Sequence, residues 1–154
     1  MIDAPRIAQT IAQQTAIIRL TIPRAEMMTA FGPAVGELMA TLAAQGIAPT
    51  GPVFAHHLKM TPGIFDFEVG VAVAAPVTAT GRVKPSVWPA MKVVRTVYHG
   101  PYEGLPDAWG EFTEWIAANG HTPAEDLWEC YVTGPHSSAD SAMWQTELNR
   151  PLTQ

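Results

Sequence analysis

The sequence predicts an α+β fold in which one β-α-β-β module occurs twice. Two observations carry this. The stretch "GELMATLAAQGIAP" from Gly36 aligns without a gap on "GEFTEWIAANGHTP" from Gly110, with Gly36/Gly110, Glu37/Glu111, Ala43/Ala117, Ala44/Ala118, Gly46/Gly120 and Pro49/Pro123 identical. The flanks of these helices agree in type, since each follows one β-prone segment and precedes two more. The expected organisation is a single domain with repeat one at about 16–76, a linker at about 77–91 and repeat two at about 92–152.

The elements follow in order. "AIIRLTIP" at 16–23 opens the first module and "KVVRTVYHG" at 92–100 the second. Phe31, Val35, Leu38, Met39 and Leu42 recur at helical spacing in one helix, and Leu105, Ala108, Trp109, Phe112, Trp115 and Ile116 in the other, so each helix has an apolar stripe to pack on a sheet. Gly46 and Gly120 stand where a helix C-terminus takes a left-handed residue. "PVFAHHLKM" and "IFDFEVGVAV" then read as paired strands around the turn Thr61-Pro62-Gly63, and "LWECYVTG" and "WQTELNRPL" as the second pair after the turn at Gly134-Pro135. In "FDFEVGVAV", Phe65, Phe67, Val69, Val71 and Val73 form one row, and Asp66, Glu68, Gly70 and Ala72 the other. The linker reads as irregular, with "VTATGRV" able to add a strand, and the first fifteen or so residues have no counterpart in the repeat.

Composition narrows the function classes. With 47 % hydrophobic and 15 % charged residues the chain is an ordinary globular protein. A net charge of -5 with nine scattered Lys and Arg disfavours direct nucleic-acid binding and leans toward neutral or cationic small molecules. No run approaches the roughly 18 apolar residues of a membrane span, and the N-terminus lacks a basic signal region, so no membrane association and a cytoplasmic location are expected. The single cysteine, Cys130, reads as a small core residue. His56 and His57 point to opposite faces of a strand and cannot chelate one metal together, and neither a phosphate loop nor a nucleophile elbow appears; no metal and no cofactor are expected. His99 and the serines near 137 have no partner that sequence can supply.

The second half, "VYHGPYEGLPDAWGEFTEWIAANG", "LWECYVTGP" and "WQTELNRPL", resembles the GyrI-like (DNA gyrase inhibitor-like) small-molecule-binding family, related to the effector-binding domains of AraC-type and MerR-type regulators; the first half matches more loosely. The resemblance implies an SHS2-type pseudo-twofold fold, with antiparallel sheets curved around a central ligand crevice and helices outside. It also implies aromatic rings lining the crevice and a glutamate pointing into it, which falls on Glu129 in "LWECYV" and by weaker analogy on Glu147. The chain has no room for a helix-turn-helix beside both repeats and reads as a stand-alone version.

Glu129 is the central candidate. Alternation sets Leu127, Glu129 and Tyr131 on one strand face and Trp128, Cys130 and Val132 on the other, so the carboxylate shares a face with an aromatic ring. Desolvation in a crevice would raise its pKa and a bound cation would lower it again. One unit-charge pair at about 4 Å and an effective dielectric near 20 is worth on the order of 4 kcal/mol before desolvation, enough to orient an aromatic cation. The bland alternative is a solvated strand glutamate. Around it, Tyr131, Tyr102, Trp88 and Trp144 are candidate pocket walls and Glu147 and Glu68 further candidate carboxylates, while Trp109, Phe112 and Trp115 read as core.

Two functions compete. The first is capture of a small hydrophobic or cationic aromatic compound, either to sequester it or to sense it for a regulator partner. The second, implied by the resemblance, is a hydrolase that opens the cyclopropane ring of DNA-alkylating compounds, with Glu129 as general base and Tyr131 or a backbone donor stabilising the developing phenolate. A third, docking on gyrase, requires an exposed acidic or apolar patch, and no such run is visible.

Overall fold

The computed structural model describes residues 2–61, 63–134 and 139–153, with side chains described at all of these except 28 and 59–61. Pro62, Pro135 and Ser137, on which two expected turns and the serine cluster rest, lie outside the described residues. The strands are β1 (Arg6–Gln9), β2 (Gln13–Pro23), β3 (Phe54–Thr61), β4 (Ile64–Ala72), β5 (Lys84–Trp88), β6 (Lys92–His99), β7 (Leu127–Thr133) and β8 (Gln145–Pro151). The helices are α1 (Met27–Ala44) and α2 (Leu105–Ala118). The chain divides into two compact units, one of residues 11–90 and one of residues 1–10 with 91–154. Each contains one β-α-β-β module, so the α+β class and the duplication are both present.

In the unit of residues 11–90 the antiparallel order is β5-β2-β4-β3. Register places Leu20 opposite Phe67 and Ile18 opposite Val69, and Phe31 of α1 stacks on Phe67 at 6.5 Å. The apolar row of β4 therefore faces the helix, while Asp66 and Glu68 lie on the other face beside Arg19 and His56. Gly70 is required by close approach: a Cβ there would lie 2.7 Å from Ile17 Cγ2 and 2.8 Å from the Ala16 carbonyl oxygen.

In the other unit the order is β1-β6-β8-β7, again antiparallel. Val94, Tyr98 and Leu148 of the sheet pack with Ala108, Phe112 and Ile116 of α2. Burial of a Leu or Phe side chain in such a cluster contributes about 1.5–3 kcal/mol each. Both helices end in the same motif. Gly46 (φ 68°) and Gly120 (φ 76°) bond back to Ala43 and Ala117, and the next residues, Ile47 and His121, to Leu42 and Ile116.

The structure departs from expectation at the sheet edges. The extra strand of the linker is Lys84–Trp88 rather than "VTATGRV", because Thr80 and Val83 bond reciprocally at 2.9 Å around Gly81 (φ 57°) and close that stretch into a tight turn. The N-terminal residues also hold a strand: β1 pairs with β6, the first strand of the second module, just as β5 pairs with β2, the first strand of the first.

Candidate functional site

The site grows out of the register of β7. Glu129 lies opposite Leu148, and Tyr131 opposite Thr146, so both side chains leave the sheet on the face that α2 covers. Glu129 is 8 % exposed. Its two oxygens have different partners: the indole N–H of Trp109, from α2, donates to Oε2 at 2.6 Å, and the Tyr131 hydroxyl donates to Oε1 at 2.8 Å. Among the described residues no Lys, Arg or His forms an ion pair with Glu129. A carboxylate held by two neutral donors and no cation is an unusual use of the interior.

Aromatic rings complete the box. Tyr102, in the 3₁₀ turn Tyr102–Gly104 that leads into α2, meets Tyr131 edge-on at 5.7 Å and Trp144 at 4.9 Å. Burial, then the Glu129 charge, raises the pKa of both tyrosines, Tyr131 well above the usual phenol range, so both hydroxyls stay protonated. The turn is set by Tyr98, whose hydroxyl donates to the Pro101 carbonyl at 2.8 Å and occupies the space a side chain at Gly104 would need. Gly100 (φ 140°) sits beside the same hydroxyl. Sequence thus builds the mouth of the site from a glycine-lined slot for a buried tyrosine.

The model of the GyrI-like small molecule binding domain family matches residues 3–152. The chain belongs to that family. No curated protein matches it by sequence. Among solved structures, the EcmrR C-terminal domain superposes with a TM-score of 0.86 at 22 % identity over 98 % of each chain. EcmrR in a DNA complex gives 0.83 at 24 %, and there the chain covers 57 % of its neighbour's length. A hydrolase from Listeria innocua gives 0.69 at 13 %, over 97 % of this chain and 91 % of its own. SAV2435, solved bound to tetraphenylphosphonium, gives 0.69 at 11 %, over 98 % and 94 %. At these identities the likeness is one of fold.

Within this GyrI-like, small-molecule-binding domain the expected site residues separate into groups. Glu129, Tyr131, Tyr102 and Trp144 come together. Glu147 does not join them: it lies opposite Cys130 and Val97, on the sheet face away from α2, with its Oε1 accepting from Asn149 at 3.1 Å and 3.5 Å from Arg95 Nε. Glu129 stands opposite Leu148, and in a period-two strand the adjacent Glu147 points to the other face, which only the register reveals. Glu68 and Trp88 lie in the unit of residues 11–90. Glu68 is 3.3 Å from His56 Nδ1, and Trp88 is buried edge-on against Phe54 at 5.4 Å. Trp109, read from sequence as core, is the residue that binds the carboxylate; the available signal was that a buried indole N–H needs an acceptor and Glu129 needs donors. Cys130 is buried, which pushes its thiol pKa up and suits a packing role. Among the described residues no His/Cys/Asp/Glu group has metal-binding geometry, and no helix is long and apolar enough to cross a membrane.

Proposed function

We propose that this GyrI-like domain captures a hydrophobic aromatic cation, with Glu129 as its counter-ion and Trp109, Tyr131, Tyr102 and Trp144 as the surrounding rings. One observation carries the reading: a buried carboxylate whose two oxygens accept only from an indole and a phenol, without a positive partner among the described residues. Such a charge is costly in the absence of a cation and strongly favourable with one, while each ring adds about 0.5–2 kcal/mol of cation–π attraction. The same geometry repels anions and gives neutral aromatics only the rings.

Tetraphenylphosphonium serves as a probe of this ligand class, SAV2435 being only a fold relative. Isothermal titration on wild type and Glu129→Gln tests the reading. Glutamine is the informative change, because its carbonyl can accept from Trp109 and its amide can donate to the Tyr131 hydroxyl, removing charge while keeping both bonds. The expected result is loss of about 100-fold or more in affinity, the equivalent of roughly 3 kcal/mol, with the fold intact. Unchanged affinity would remove Glu129 from the site. Turnover of a cyclopropanoid substrate in excess of protein, abolished in the same variant, would instead favour the hydrolase, in which Glu129 acts as base and either a backbone donor or the Tyr131 hydroxyl, turned from Glu129, meets the substrate oxygen.

A further inference from the structure

Beside Glu129 and Tyr131 the sheet carries one more polar side chain, that of Thr146. It lies opposite Tyr98 on one side and Tyr131 on the other, two residues from Leu148, so it leaves the sheet on the face that α2 covers. Thr146 is fully buried, yet its hydroxyl has no hydrogen-bond partner among the described residues. The other buried threonines of this unit are satisfied. Thr96 Oγ1 donates to the Asp3 carbonyl at 2.7 Å, and Thr10 Oγ1 donates to the Met91 carbonyl at 3.2 Å and accepts from the Met91 N–H at 2.9 Å.

Neither strand propensity nor packing accounts for this hydroxyl. Valine has the same branched shape and a comparable preference for strands, and would fill the position without stranding a buried oxygen. The first module shows that the fold does not ask for a polar group there. The repeat that aligns Gly36 with Gly110 aligns His57 with Tyr131, and His57 lies opposite Phe67 as Tyr131 lies opposite Thr146. The corresponding residue is thus an apolar ring, on which Phe31 stacks. Position relative to the carboxylate gives the hydroxyl a use. Thr146 is the direct cross-strand neighbour of Tyr131 and the diagonal neighbour of Glu129. Diagonal neighbours on one sheet face lie about 7–8 Å apart, close enough for one small charged group to touch both side chains. A cation that replaces the Tyr131 hydroxyl at Glu129 Oε1 arrives between a charged acceptor and a neutral one.

We propose that Thr146 selects, among aromatic cations, those whose charged head carries at least two N–H bonds: primary and secondary ammonium ions, which donate one N–H to Glu129 and another to Thr146 Oγ1. The inference rests on the reading of Glu129 as counter-ion and narrows its ligand class. A quaternary ammonium or a phosphonium gains the charge and the rings but leaves the Thr146 hydroxyl buried without a partner. Tetraphenylphosphonium therefore reports on charge and rings alone, and a ligand with N–H bonds is needed to read Thr146.

The test is isothermal titration of the full chain with naphthylmethylammonium and with its N-trimethyl analogue, which share ring and charge and differ in N–H bonds. Thr146→Val should weaken the primary ammonium about ten-fold and the trimethyl analogue by less than about two-fold, so the ratio of the two affinities falls. Thr146→Ser, which keeps the hydroxyl, should keep the ratio within about two-fold of wild type. The melting midpoint of Thr146→Val should equal or exceed that of wild type, since a methyl replaces a hydroxyl that has no partner. A ratio unchanged in Thr146→Val, or lowered as much in Thr146→Ser, would overturn the proposal; so would a midpoint below wild type, which would give the hydroxyl a structural role. Glu129→Gln separates the two levels. If it weakens both ligands while Thr146→Val leaves their ratio unchanged, this inference alone fails; if it weakens neither, the reading of Glu129 fails with it.

Discussion

Replacing Trp109 by Phe probes the bond on which the site is built. The change keeps an aromatic ring on α2 and deletes the N–H that reaches Glu129 Oε2 at 2.6 Å. A hydrogen bond to a charged acceptor contributes roughly 1.5–3 kcal/mol, and Glu129, 8 % exposed, has little water to replace it. For a chain of this length each kcal/mol moves the melting midpoint by about 2–4 °C, so a fall of about 3–12 °C is expected. In a Glu129→Gln background the same substitution removes only a neutral bond, worth about 1 kcal/mol, and should cost correspondingly less. The cycle of wild type, both single variants and the double variant, followed by denaturant unfolding, therefore yields a coupling of about 1 kcal/mol or more. Cation affinity should move the other way: with the indole N–H gone, tetraphenylphosphonium meets an undercommitted carboxylate and binds about ten-fold more tightly. Equal destabilisation in both backgrounds would refute the reasoning, because the indole would then matter only as packing.

Three further outcomes follow from other parts of the structure. Gly104→Ala should lower stability by about 1–3 kcal/mol in chemical denaturation, since the new methyl must displace the Tyr98 hydroxyl, and should weaken cation binding by disturbing the turn that carries Tyr102. Asp66 is held below the usual carboxylate range first by its hydrogen bond from Arg19. Its folded pKa being depressed, the contribution is fully present above about pH 4 and is lost as pH falls through the lowered value, so the small stability gap between wild type and Asp66→Asn should close as the solution is acidified below about pH 4. Cys130, buried and with its thiol pKa raised, should react with iodoacetamide in the unfolded chain and resist it in the native one at pH 8.

How much of this was legible in the sequence depends on the range of the interaction. The repeat could be read because Gly46 and Gly120 answer to a local rule: a helix end that needs positive φ favours glycine, and two such ends at matching positions reveal two copies of a module. Glu129 and Tyr131 shared a face by simple alternation. Whether Glu147 shares a face with Glu129 is not legible in either strand alone, because it is set by the pairing of Glu147 with Cys130, a relation between strands that no single-strand pattern contains. Trp109 was hidden for a similar reason. On a helical wheel it belongs to the apolar stripe, and its donor role appears only once α2 is laid across β7. The edge strands β1 and β5 were missed since each is short and pairs far along the chain, β1 with β6 and β5 with β2.

The five tryptophans offer the most direct measurement of the central claim, that a cation is taken up at Glu129. Their indole N–H signals can be followed in a ¹H–¹⁵N spectrum while tetraphenylphosphonium is added. The account predicts the largest displacement at Trp109, whose N–H loses its share of the carboxylate, a second at Trp144 beside Tyr102, and little at Trp88 or Trp128. A titration that moves Trp88 or Trp128 most, and leaves Trp109 where it was, would contradict it.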